Sequence, residues 1–84
     1  MSLKEIREIL EHFHRRAIAR YCLEPRTFEE IINYMMEKTD WNHDLAYVLV
    51  GEHLAVLEKS HIVINVSGKW VTSKSAAEVL KKYF

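Results

Sequence analysis

Between His53 and Thr72 the hydrophobic repeat changes period within four residues, and few small folds accommodate such a change. Leu54 and Leu57 recur at helical spacing, whereas Ile62, Ile64 and Val66 alternate at period two. A helix must therefore end, the chain must turn through a tight elbow, and a strand must begin. Ser67-Gly68 then separates two alternating runs by two residues. Glycine at the second position suits a primed turn whose two central residues both take positive φ. The expectation is a helix feeding a short antiparallel hairpin.

Upstream, Ile6, Ile9, Leu10, Phe13, Ala17, Ile18 and Tyr21 lie three or four apart and lay an apolar stripe along one long helix, from about Leu3 to Leu23. Ser2 with Glu5 forms a capping box at its start, and the Glu24-Pro25-Arg26 break ends it, because the residue before proline is pushed out of the helical region. Thr27-Phe28-Glu29-Glu30 is a second capping box. It opens a second helix with Phe28, Ile31, Ile32, Met35 and Met36 as its apolar face, ending near Lys38. Asn42 or Asp40 caps a third helix, whose buried seam is Ala46, Val50, Leu54 and Leu57. A third box, Ser75-Ala76-Ala77-Glu78, starts the last helix through Val79, Leu80, Tyr83 and Phe84. The predicted order is helix, helix, helix, strand, strand, helix, a mostly α fold with a small antiparallel β-hairpin.

At 84 residues the sequence supports one domain, spanning 1–84, of a size whose stability is expected to be marginal without a partner. No apolar run approaches the roughly 20 residues that cross a bilayer, and the start has no signal-peptide pattern, so the expected location is the cytoplasm with no membrane partner. The single cysteine, Cys22, excludes an internal disulfide and is expected to be a small buried apolar residue.

Gly51, the His53-Leu54 pair, Leu57 and the Ile62-Val63 pair fall where winged helix-turn-helix regulators of the ArsR, MarR and PadR type lead from recognition helix to wing. Trp70-Val71-Thr72-Ser73-Lys74-Ser75 resembles the segment that closes the wing, and Leu10, Arg15, Arg16, Ala17 and Ile18 resemble those families' first-helix pattern. His61 and Ser75 stand where those families commonly carry glycine. The resemblance implies a winged helix-turn-helix fold, a DNA-binding transcriptional regulator and a homodimer. The third helix would enter the major groove of double-stranded DNA and the wing would touch its backbone. On that reading Thr27, Asn42, His43, Tyr47, Val48, Gly51, Lys59 and Lys69 face DNA. Ile6, Leu10, Phe13, Leu80, Tyr83 and Phe84 hold the dimer.

The charges resist that role. Residues 25–61 carry three cations against seven anions, a balance of −4, whereas residues 1–24 carry +1 and residues 62–84 carry +3, within a net charge of zero. DNA affinity draws on Lys and Arg neutralising phosphates, and no outward residue of the third helix is the arginine or lysine that most often reads guanine. The alternative is a winged-helix protein-interaction module with little DNA affinity. Tyr47, Val48, Leu49 and Val56 are expected to be buried by a third helix packed on two sides, the other reading being an exposed apolar strip for a protein partner.

No catalytic constellation emerges. There is no glycine-rich phosphate loop and no nucleophile in a recognisable motif, so no enzyme and no cofactor are expected. His53 reads as a packed or capping histidine. His12 and His14, two apart on one continuous helix, would point to different sides, so no metal site is expected. Arg15, Arg16 and Arg20 read as a solvated face in which Glu11 with Arg15, and Glu8 with His12, sit at ion-pair spacing. Lys69 follows the hairpin turn, with Trp70 covering the sheet from the opposite strand face.

Overall fold

In the computed structural model, which describes residues 2–84, the elements run α1 (Leu3–Leu10), α2 (Phe13–Tyr21), α3 (Phe28–Lys38), α4 (His43–Lys59), β1 (Val63–Val66), β2 (Lys69–Thr72) and α5 (Lys74–Tyr83). The local signals at the first three caps are realised. Ser2 and Thr27 each close a capping box, with Glu5 and Glu30 as the reciprocal partners. Asn42, not Asp40, caps α4, its side chain accepting from the Leu45 amide at 2.9 Å.

The first departure is a break in the expected long helix. Glu11 closes α1, and His12 turns to extended backbone with ψ of 114°, so α2 starts afresh at Phe13. Neither proline nor glycine marks the site. The break is stabilised from α2 instead, where Arg16 donates through Nη1 to the Leu10 carbonyl at 3.2 Å, satisfying an acceptor freed at the end of α1. It also rotates the apolar stripe out of register. Of that stripe Ile6, Leu10 and Ile18 lie in the core, joined by Ala19 from outside it, while Phe13 is turned out and is 64% exposed.

The end of α4 explains how the chain enters the hairpin. The Ile62 amide donates to the Leu57 carbonyl at 2.8 Å and the His61 amide to the Glu58 carbonyl at 3.0 Å. This is the paired bonding of a Schellman turn, and Leu57 and Ile62 are both buried in the core. His61 takes φ of 58°, the left-handed conformation that glycine usually supplies. At the tip, Ser67 (φ 54°) and Gly68 (φ 83°) both lie in the left-handed region, as a two-residue primed turn requires. The strands pair antiparallel, Val63 with Thr72 through Val66 with Lys69.

The base of the ribbon enters the core, and the half-buried Trp70 packs against it. Ile62, Val63 and Thr72 are buried, while Ile64 and Val66 are exposed, so the period-two stripe lies on a projecting hairpin rather than on a covered sheet. Strand β2 is fastened to the end of α2 and to the segment that follows it. Arg26 and Trp70 exchange backbone hydrogen bonds at 2.9 and 2.7 Å, the Thr72 amide donates to the Cys22 carbonyl at 2.7 Å, and the Thr72 hydroxyl donates to the Ala19 carbonyl at 2.6 Å. Because Thr72 is held there and the Ser73 amide donates to the Ile62 carbonyl, Ser73 is the first residue free to cap. Its hydroxyl accepts from the Ala76 amide, so α5 begins two residues earlier than the Ser75 box predicts.

The core joins all five helices through Leu10, Ile18, Ile31, Ile32, Met35, Val50, Leu57, Ile62 and Val79. Cys22 lies in it, fully buried, and burial pushes its thiol up to about 12. No helix among the described residues is long and apolar enough to cross a membrane.

Candidate nucleic-acid interface

The outer side of α4 carries His43, Asp44, Leu45, Tyr47, Val48, Glu52, Ala55, Glu58 and Lys59, all exposed. Helical geometry dictates this once Ala46, Val50, Leu54 and Leu57 face the core. Tyr47 and Val48 are 56% and 52% exposed, which corrects the expectation that they are buried, whereas Leu49 and Val56 are half-buried. The expectation fails because α4 packs on α3 and the α2 bend but leaves a third face uncovered.

Several of the expected DNA-facing residues are already engaged within the chain. Asn42 and Thr27 spend their side chains as caps. His43 Nε2 lies 3.3 Å from Glu29 Oε1, tying the start of α4 to the first turn of α3. Tyr47 stands edge-on to Phe28 with ring centroids 5.3 Å apart, and a Cβ added at Gly51 would rest 4.0 Å from the same Phe28 ring. Gly51 is therefore not forced by a close approach. Glu30 is held below the usual carboxylate range, chiefly by its hydrogen bond from the Thr27 backbone. Lys59 ends α4, and Lys69 follows the hairpin tip; both are exposed and outside any ion pair among the described residues.

Of the residues expected at a dimer interface, Ile6, Leu10 and Leu80 are buried in the core of the same chain and offer no surface to a second copy. Phe13, Tyr83 and Phe84 remain exposed. The arginines account for the placement of the last two. The Arg7 guanidinium lies 4.9 Å from the Tyr83 ring centroid and that of Arg16 4.6 Å from the Phe84 ring centroid, while Arg20 donates to the Phe84 carbonyl at 2.6 Å. The expected pairs of Glu11 with Arg15 and Glu8 with His12 do not form. The ion pair among the described residues is Arg26–Glu24 at 3.8 Å, and the His43–Glu29 contact joins it only when the imidazole carries a proton. Contact with an aromatic face keeps a guanidinium in place at less desolvation cost than a carboxylate contact, and the helix break has removed the regular four-residue spacing that the ion pairs needed.

A further group is brought together that the sequence keeps apart. His12, at the bend, and His14, in the first turn of α2, both reach His53 in the middle of α4. His53 is half-buried, as its packed reading implies, and burial pushes its imidazole down to about 4, with His12, Arg15 and His14 acting in the same direction. His14 is lowered chiefly by burial, and Trp41 stands edge-on to it with centroids 4.7 Å apart. A continuous helix would separate the two α2-side histidines. The bend frees His12 from helical geometry, and since no local residue type signals the bend, sequence pattern alone misses the cluster.

Comparisons with protein-family models, with curated proteins and with solved structures found no match to this chain.

Proposed function

We propose that this chain is a winged-helix-type, DNA-binding transcriptional regulator, with α4 as the reading helix and the β1–β2 hairpin as the wing. The observation that carries the reading is the continuous α4–elbow–hairpin unit. An outward-facing helix ends in a Schellman turn and runs into a ribbon that projects from the core with Lys69 exposed beside its tip. Ile64, Val66 and the tip of the ribbon stay exposed and add little to folding stability, which favours a contact role for them. His43, Tyr47 and Val48 would meet base edges or the thymine methyl, while Lys59 and Lys69 would meet phosphates. With so few cations and with Asp44, Glu52 and Glu58 on the same helix, affinity is modest and specificity rests on α4. Homodimerisation through the exposed Phe13 and Tyr83 belongs to this reading, and a light-scattering mass equal to one chain at micromolar concentration would remove it.

A second reading rests on a specific observation. Leu45, Tyr47 and Val48 form an exposed apolar run on α4, with Asp44 and Glu52 beside it, a composition suited to a protein partner with a basic rim. The Lys69→Glu variant separates the two. On the DNA reading it weakens duplex binding at least several-fold with no change in oligomer mass, and unchanged affinity would remove the wing from the mechanism.

A further inference from the structure

His12, His14 and His53 form a triangle, with ring centroids 5.6, 5.0 and 6.0 Å apart for the pairs 12–14, 12–53 and 14–53. One ring nitrogen from each lies within 4.8 Å of the other two. We propose that these three imidazoles are a binding site for a first-row transition-metal dication, Zn2+ above all, with the fourth coordination position open to water or an exogenous anion.

The geometry is close to what such an ion needs. Zn–N bonds of about 2.0–2.1 Å at tetrahedral angles put ligand nitrogens about 3.3 Å apart. Closing a triangle of 4.8 Å sides to that size moves each ring inward by about 0.9 Å, within the reach of ordinary side-chain rotations. His12 is the exposed member, standing where the backbone has left the helix, and gives both the easiest adjustment and the path of entry. His14 and His53 are half-buried and held on separate helices, so two of the three ligands are positioned by the fold. Trp41, edge-on to His14, further limits that ring.

The polar bookkeeping points the same way. Among the described residues none of the three rings makes a hydrogen bond to another group of the chain; of the five histidines only His43 does. Polar side-chain atoms withdrawn from bulk solvent usually find a partner in the protein or in ordered water. Here they face one another, an arrangement that repels if protonated and that a shared cation satisfies.

Ligand type narrows the ion. Three imidazoles with no carboxylate or thiolate among them suit zinc, copper, nickel or cobalt and do not suit magnesium or calcium. Arg15 lies near enough to His53 to disfavour its protonated form. Its charge opposes a dication and favours an anionic fourth ligand, and its Nε is buried with no hydrogen-bond partner among the described residues.

The test is calorimetric titration of the full chain, stripped with chelator, with Zn2+, alongside Co2+ absorption spectroscopy. The proposal expects one ion per chain, ligand-field bands of a four-coordinate Co2+ centre that Zn2+ abolishes, and at least a tenfold loss of affinity in His12→Ala and in His14→Ala. His12 makes no side-chain capping bond, so His12→Ala retains the fold and decides the matter even if His14→Ala unfolds. His61→Ala, at the distant elbow, binds as the parent does. Absence of binding at micromolar Zn2+, or binding that survives His12→Ala unchanged, or binding lost equally in His61→Ala, overturns the site.

Discussion

Thr72→Val tests how the hairpin is fastened to the helical body. The side chains are nearly the same shape, so the substitution removes little but a hydroxyl. That hydroxyl donates to the Ala19 carbonyl at 2.6 Å in a buried contact. The carbonyl belongs to the last turn of α2, and the amide that would ordinarily reach it, that of Leu23, donates to Arg20 instead at 3.2 Å. Valine therefore leaves a buried acceptor without a partner. Such an orphan costs about 1–3 kcal/mol, offset in part by easier burial of the extra methyl, so a net loss of about 1.5 kcal/mol is expected. For a domain of this size 1 kcal/mol moves Tm by about 4–8 °C, so thermal unfolding followed by circular dichroism should show a fall of about 6–12 °C. Thr72→Ser keeps the hydroxyl and loses one methyl group, and should fall by clearly less. A Thr72→Val variant as stable as the parent, or Thr72→Ser as damaging as Thr72→Val, would refute the reasoning and make the hairpin an appendage rather than a fastened element.

Two other predictions concern the elbow and the histidines. His61 occupies left-handed backbone, which costs a residue with a Cβ about 1 kcal/mol, while glycine's freedom in the unfolded chain returns part of that; His61→Gly should stabilise by about 0.5 kcal/mol in urea unfolding, and a loss of stability would show that the His61 side chain contributes contacts of its own. For His53, the folded value of about 4 lies below the ordinary 6.5, so as pH falls the unfolded chain takes up the proton first. Its contribution is complete above 6.5 and drains away between 6.5 and 4, amounting to about 1 kcal/mol by pH 5 once partial exposure is discounted. Urea unfolding at pH 7 and pH 5 should show that loss in the parent and a smaller one in His53→Leu; equal losses in both would acquit His53.

What was legible in the sequence was local. Capping boxes at Ser2 and Thr27 and the Asn42 cap each rest on a side chain satisfying backbone a few residues away, the Ser67-Gly68 turn rests on the left-handed backbone of its two central residues, and each is realised. The period switch at Leu57–Ile62 is likewise a local conflict with one good solution. The bend at His12 was not legible, because its stabilising contact is the Arg16 guanidinium on Leu10, a side chain that the helical pattern assigned to solvent. One such error propagated. It put Phe13 on the same stripe as Leu10 and Ile18, kept His12 away from His14, and set Glu11 at ion-pair spacing from Arg15. The start of α5 was misplaced by two residues for a similar reason, since Thr72 and Ser73 are fixed by tertiary bonds to Ala19 and Ile62 that no local pattern announces. The exposed Tyr47 and Val48 were missed because hydrophobicity on several sides of a helix reads as burial, whether the third side is covered or not.

The claim that α4 and the hairpin read DNA is tested most directly by measuring duplex binding across a salt series. With Lys59 and Lys69 as the phosphate contacts, log affinity should fall against log salt with a slope of about −2 per chain, and Lys69→Glu should bring it to about −1. No binding at low salt, or binding whose slope is near zero and indifferent to Lys69→Glu, would contradict the account and leave α4 as a surface for protein.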